Sequence, residues 1–220
     1  ELISNSMCEY ESTKRFDREI AKFMKYWGIK GGSFAIMKND SLIYAKGYGY
    51  ANAEDSLECT TSNIFRVASI SKLITAVTVM KLCENGQLNL DDTVFGEDGI
   101  LNDSIYTHRI RDKKIKNVTV EHLLRHTSGF SNPIGDAAFN QDIIARIIHR
   151  PLPLTLDEMV EWASSNRLRS RPGTHYNYSN IGYMVLSLLL LLECIIEIKL
   201  QWISIIFFFL PCKMNNIQIT

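Results

Sequence analysis

Over residues 14–27 the apolar positions recur with the period of a helix. Phe16, Ile20, Phe23, Met24 and Trp27 fall on one stripe, and Gly28 supplies a stop. The pattern then shortens. The stretch 31–52, GGSFAIMKNDSLIYAKGYGYAN, is rich in β-branched and aromatic residues on either side of Asn39-Asp40, which predicts two strands about a turn. A helix followed by a hairpin reads as the start of an antiparallel sheet with a helix packed on it. From residue 69 the period is helical again, over 69–84, closed by Asn85-Gly86. Its apolar stripe runs through Ile70, Leu73, Ile74, Val77 and Met80.

Shorter elements follow. LNLDDTV (88–94) reads as a loop, and VTVEHLLRHTSGF (118–130) holds a short helix that Thr119 can cap and Ser128-Gly129 ends. Between them, His108, Arg109, Arg111, Asp112, Lys113, Lys114 and Lys116 mix signs and read as a solvated loop rather than a nucleic-acid patch. Thr155-Leu-Asp-Glu158 is a capping box opening a helix along Leu156, Met159, Val160 and Ala163. RSRPGTHYNYSN (169–180) is a loop leading into an apolar run from Ile181. The last stretch, WISIIFFFL within the tail, is apolar but short. Glu193, Glu197 and Lys199 interrupt the run, so the tail is not expected to anchor the chain in a membrane.

Composition narrows the classes. With 46% apolar and 22% charged residues among 220, the chain is globular rather than disordered. Twenty-four Lys+Arg balance 24 Asp+Glu, which gives no electrostatic case for nucleic acid. The five cysteines (Cys8, Cys59, Cys83, Cys194, Cys212) are scattered without metal-ligand spacing and read mostly as free thiols. Five histidines offer no metalloprotease pattern. His122 and His126, four apart, lack an acidic partner at that spacing, so no metal and no cofactor is expected.

Candidate chemistry lies at Ser69 and Lys72. Three apart on a helix, they share a face, with Cβ atoms about 5–6 Å apart. A helix N-terminus favours a developing anion, a serine hydroxyl needs an adjacent base, and a partly buried lysine loses its charge more readily. The bland alternative is a capping serine and a solvated lysine, since Ser-x-x-Lys is expected about once by chance in such a chain. A second motif shifts the balance: Tyr178-Ser179-Asn180 directly precedes the apolar run, pairing a phenol that can relay a proton with an amide that donates and accepts. Tyr50-Ala51-Asn52 also matches this triplet, but on a predicted strand end ahead of the serine.

These segments, FRVASISKLITAVTVMKLCENGQLNLDDTV (65–94), VTVEHLLRHTSGF and RPGTHYNYSNIGYMVLS (171–187), resemble the serine β-lactamase and penicillin-binding-protein superfamily. The resemblance is to its branch of class C β-lactamases, D-alanyl-D-alanine carboxypeptidases and esterases, and it covers residues 14–187. It implies an α+β, β-lactamase/transpeptidase-like fold: an antiparallel sheet with packed helices plus a helical subdomain. It also implies a serine hydrolase acting on an amide, β-lactam or ester bond through an acyl-enzyme. Carried over, it assigns Ser69 as nucleophile and Lys72 as activating base, coupled to Tyr178 as proton relay. Asn180 would orient substrate and lysine. The loop of His126, Thr127 and Ser128 is structural in that family, and the expected partner is a small-molecule or peptide substrate.

The chain also departs from the family. Nothing after Asn180 matches the Lys-Thr-Gly or His-x-Gly strand that supplies the second oxyanion donor, whose loss costs about 10²–10³ in turnover. The family's last three strands have no counterpart, which leaves an unpaired sheet edge. Residues 1–187 therefore read as a partial domain, with 14–52 the helix and first strands and 53–187 mainly helical. Residues 188–220 read as an atypical hydrophobic tail of a truncated chain. The alternative function is an inactive fragment serving as a binding or scaffold module. The sequence gives neither substrate nor oligomeric state, and it implies a periplasmic or secreted location only if a bacterial signal peptide preceded Glu1.

Overall fold

The computed structural model describes residues 13–130 and 133–197, with side chains through Leu192. The expected tail motif WISIIFFFL lies outside the described residues, as do the side chains of Cys8, Cys194 and Cys212. The described chain falls into two compact units that divide between Arg66 and Val67.

The first unit holds α1 (Lys14–Trp27), β1 (Gly31–Lys38), β2 (Ser41–Asn52) and β3 (Leu57–Glu58). Gly28 ends α1 in the left-handed region at φ 66°, with its N–H on the Lys25 carbonyl. The strands form one antiparallel sheet in the order β1-β2-β3. Asn39 and Asp40 both take positive φ, 50° and 58°, the two-residue turn whose twist suits a hairpin. Its register runs from Gly31 opposite Gly49 to Lys38 opposite Ser41. Little here is buried: Tyr44, Ala45 and Cys59 are, while nothing in α1 is. The helix is instead pinned by aromatic and polar contacts. Phe16 sits edge-on to Phe34 and Tyr44, with centroids 4.9 and 5.3 Å away. The Asp17 carboxylate accepts from the phenols of Tyr44 (2.7 Å) and Tyr48 (2.6 Å) and pairs with Lys46 at 3.0 Å.

The second unit holds α2 (Ser71–Glu84), entered through a 3₁₀ turn at Ala68–Ile70, then α3 (Ser104–Thr107), α4 (Val120–Leu124), α5 (Gln141–Ile148), α6 (Leu156–Ser165) and α7 (Asn180–Glu197). Its core is continuous: Val79 and Leu82 of α2, Leu123 of α4, Ile144 of α5, Met159 and Val160 of α6, and Ile181, Val185, Leu186 and Leu189 of α7. Helix α7 packs on α2, α4 and α6, so its apolar run is the unit's central rod. Both expected caps form. Thr119 accepts from the His122 N–H and Thr155 from the Glu158 N–H, each inside a capping box.

One expectation needs correction, and the inward face of α2 is not its apolar stripe. The charged stretch 108–117 is not all solvated loop. Lys113–Asn117 is a 3₁₀ turn whose Ile115 is fully buried, because Asp112 caps the Lys114 N–H and also receives the Leu168 N–H. On α2 the apolar stripe is on the exposed face, and Lys72, Val79 and Leu82 are the buried ones.

Candidate active site

The order of elements delivers two motifs to one place within the second unit. Ser69 lies in the 3₁₀ turn ahead of α2, preceded by Ala68 at φ 44°, a backbone conformation that is costly for a residue with a side chain. Lys72 follows on the first turn of α2, buried at 6% exposure. One hundred and seven residues later, Ser179 caps α7 with its hydroxyl on the Gly182 N–H, a bond that places Tyr178 just before the helix and Asn180 as its first residue.

These four side chains meet. Lys72 Nζ donates to Asn180 Oδ1 at 2.6 Å and to Ser69 Oγ at 3.2 Å. The Tyr178 phenol donates to Ser69 Oγ at 2.7 Å. Ser69 and Tyr178 are exposed, so a solute can reach the hydroxyl, whereas the lysine stem is enclosed. Lys72 Nζ also lies 5.0 Å from the ring centre of Tyr178 and 5.7 Å from that of Tyr183, within cation–π range of both. Burial opposes ionisation of the Tyr178 phenol. Hydrogen bonding with Lys72 and Ser69, plus the Lys72 charge, outweighs it, so Tyr178 is held below the usual tyrosine value.

The loop after α4 positions the second motif by backbone pairing. His126 and Thr127 carbonyls accept from the N–H groups of Asn177 and Gly173, each at 2.8 Å, and the Gly129 carbonyl accepts from Arg169 at 2.7 Å. Gly129 has φ 82°, and a Cβ there would stand 2.5 Å from the Ser170 carbonyl oxygen, so the crossing of the two loops requires glycine. His126 does more than fill space. Its Nδ1 accepts the Ser179 N–H at 3.1 Å, and its ring lies 4.6 Å from that of Tyr178 and 5.0 Å from that of Tyr183. Burial first, and the Lys72 charge second, hold the imidazole below its ordinary value, which keeps Nδ1 free to accept.

One further residue joins the group without any signal in the sequence. The Asp136 carboxylate, just ahead of a 3₁₀ turn at Ala137–Phe139, accepts from Asn180 Nδ2 at 2.6 Å. The rival triplet has a different local use. Asn52, at the end of β2, accepts the Glu54 N–H at 2.9 Å and caps the turn that follows.

The beta-lactamase family profile matches residues 16–190. The chain belongs to the beta-lactamase family. Among its relatives, protein flp of Staphylococcus aureus (strain N315) is 26% identical over 183 residues, covering 82% of this chain and 33% of that protein. Penicillin-binding protein 4* of Bacillus subtilis (strain 168) is 28% identical over 168 residues, covering 72% of this chain and 32% of that protein. Among solved structures, the octameric penicillin-binding protein homologue from Pyrococcus abyssi is 30% identical with a TM-score of 0.62, covering 80% of this chain and 38% of the other. This beta-lactamase-family chain thus spans about a third of the length of the curated relatives it matches. Its mixed architecture of antiparallel sheet and helices is that of the family.

Proposed function

We propose that the chain carries the acylating centre of a serine hydrolase of the β-lactamase and penicillin-binding-protein type, acting on an amide, β-lactam or ester bond. The observation that supports this best is that one exposed hydroxyl, Ser69 Oγ, lies within hydrogen-bond reach of two proton-handling groups, Lys72 Nζ and the Tyr178 phenol. In this reading Ser69 Oγ attacks the carbonyl carbon while its proton passes to the Lys72–Tyr178 pair. Collapse of the tetrahedral adduct breaks the bond to the leaving nitrogen or oxygen, which takes a proton from Tyr178. Water then cleaves the acyl ester by the reverse proton route. The base is a property of the coupled pair rather than of either residue. Asn180 holds Lys72 through Oδ1.

The test is intact mass after exposure to a fluorophosphonate or a β-lactam. The 220-residue chain is expected to gain one adduct, the fluorophosphonate less HF or the whole ring-opened β-lactam, and Ser69→Ala none. Equal labelling of the two proteins, or labelling of neither, overturns the proposal; the second result leaves the binding-module alternative.

A further inference from the structure

We infer that Asp136 is a positioning residue of this site: its carboxylate fixes the Asn180 amide with Oδ1 toward Lys72 and stands as a negative charge behind the Lys72–Tyr178 pair. The inference rests on the acyl-transfer reading only for its effect on Ser69.

The argument starts from the chemistry of the two ends of an amide. Asn180 has one acceptor end and one donor end, and either could in principle face the lysine. A lysine ammonium only donates and an ionised carboxylate only accepts, so their positions leave a single orientation. Lys72 Nζ takes Oδ1 at 2.6 Å and Asp136 Oδ2 takes Nδ2 at 2.6 Å. Both bonds involve a charged partner, the stronger kind. The amide therefore links a carboxylate to an ammonium, and polarisation along that chain strengthens both bonds.

Asp136 is itself held in place. Its other oxygen, Oδ1, accepts the Ala138 N–H at 3.0 Å, and its carbonyl accepts from Asn140 Nδ2 at 2.7 Å. The buried Ala137 anchors the turn beneath it. The carboxylate thus has one oxygen for its own loop and one for the site. Among the described residues, the charged and titratable groups facing Tyr178 are Lys72, Asp136, His126 and Tyr183, with Tyr176 against His126. Asp136 is the carboxylate among those acting on the phenol, and it opposes the Lys72 charge there. It therefore works against Lys72 in how readily the phenol yields its proton, as the smallest of the influences there.

A purely structural role, as the cap of the 3₁₀ turn, makes a different prediction at one substitution. In Asp136→Asn, Asn caps a turn about as well as Asp, but its amide nitrogen now faces either the Ala138 N–H or Asn180 Nδ2, donor against donor. If the cap is kept, Asn180 must turn over and present Nδ2 to Lys72. The experiment uses the 220-residue chain with tyrosine ¹³C-labelled at Cζ, the Tyr178 resonance being assigned from Tyr178→Phe. Tyr178 is expected to titrate at lower pH in Asp136→Asn than in wild type, with the melting temperature kept. Where wild type labels with a fluorophosphonate, the variant is expected to label at least tenfold more slowly. Asp136→Ser, which keeps a capping oxygen but cannot reach Asn180, is expected to behave alike and serves if Asp136→Asn does not fold. An unmoved Tyr178 titration in folded variants overturns the inference. Because that titration needs no turnover, a wild type that never labels defeats the acyl-transfer reading alone.

Discussion

Helices α2 and α7 both begin at the site, and both are rich in apolar residues, yet they are built inside out with respect to each other. On α7 the apolar side chains Ile181, Val185, Leu186, Leu189 and Leu190 are buried, and the polar group that matters, Asn180, sits at its first position. On α2 the charged Lys72 is buried, while Leu73 at 66% and Val77 at 61% exposure face outward with Ile70, Ile74 and Met80. Burying a lysine is costly unless its protons are taken up, and Lys72 donates to Asn180 and Ser69. The contrast separates two uses of a helix: α7 stabilises the unit, and α2 carries a charge to a hydroxyl.

That contrast breaks or sharpens under substitution. The largest stability effect is expected from Leu186→Ala on α7, where a fully buried side chain leaves a cavity costing about 2–5 kcal/mol in denaturant unfolding. Leu73→Ser on the outer face of α2 is expected to stay within about 0.5 kcal/mol. Comparable losses at the two positions would mean that the α2 stripe is covered, and the comparison would fail.

Next in size is Lys72→Met, which keeps the stem and removes the charge. Ser69 labelling is expected to fall about 10²–10⁴-fold. The Tyr178 titration is expected to move up, because Lys72, with help from Ser69, draws it down against burial. That direction is opposite to the one expected for Asp136→Asn, so the two variants bracket wild type. A Tyr178 titration unchanged by Lys72→Met would detach α2 from the phenol altogether.

The smallest effect concerns what ties down the start of α7. His126 is held neutral below its ordinary value by burial first and by Lys72 second, with Nδ1 on the Ser179 N–H. A depressed folded-state value means that the unfolded chain takes up the proton first. The stabilisation is therefore present above about pH 6.5, the unfolded value, and lost as pH falls through the folded one. The stability gap between wild type and His126→Phe is expected to narrow between about pH 7 and about pH 5. A gap constant with pH would leave the ring a packing role only.

Much of this was legible in the linear pattern. The stop at Gly28, the Asn39-Asp40 hairpin, the Thr119 cap and the Thr155 capping box are local, decided by φ/ψ preferences and by bonds spanning three or four residues. The spacing of Ser69 and Lys72 was legible for the same reason, since three residues on one helix face are neighbours before any tertiary contact forms. Which face of α2 turns inward was not. Its apolar stripe has the right period, but burial is decided by what lies opposite, and α7 meets the Lys72 side. The charged stretch 108–117 was misread, because one apolar residue, Ile115, is enough to seat a 3₁₀ turn when Asp112 satisfies two backbone donors.

The sequence by itself, then, determined the short-range parts: the helices, the hairpin, their caps, and two polar motifs each at the start of a helix. The resemblance of those motifs implied that Ser69, Lys72, Tyr178 and Asn180 work together, but only the tertiary structure decided the bonds that join them, with His126 and Asp136 behind. The physical reason is distance along the chain. Asp136 meets Asn180 across 44 residues and Lys72 meets it across 108. Such pairings come from how helices pack and loops cross, where periodicity and spacing carry no information.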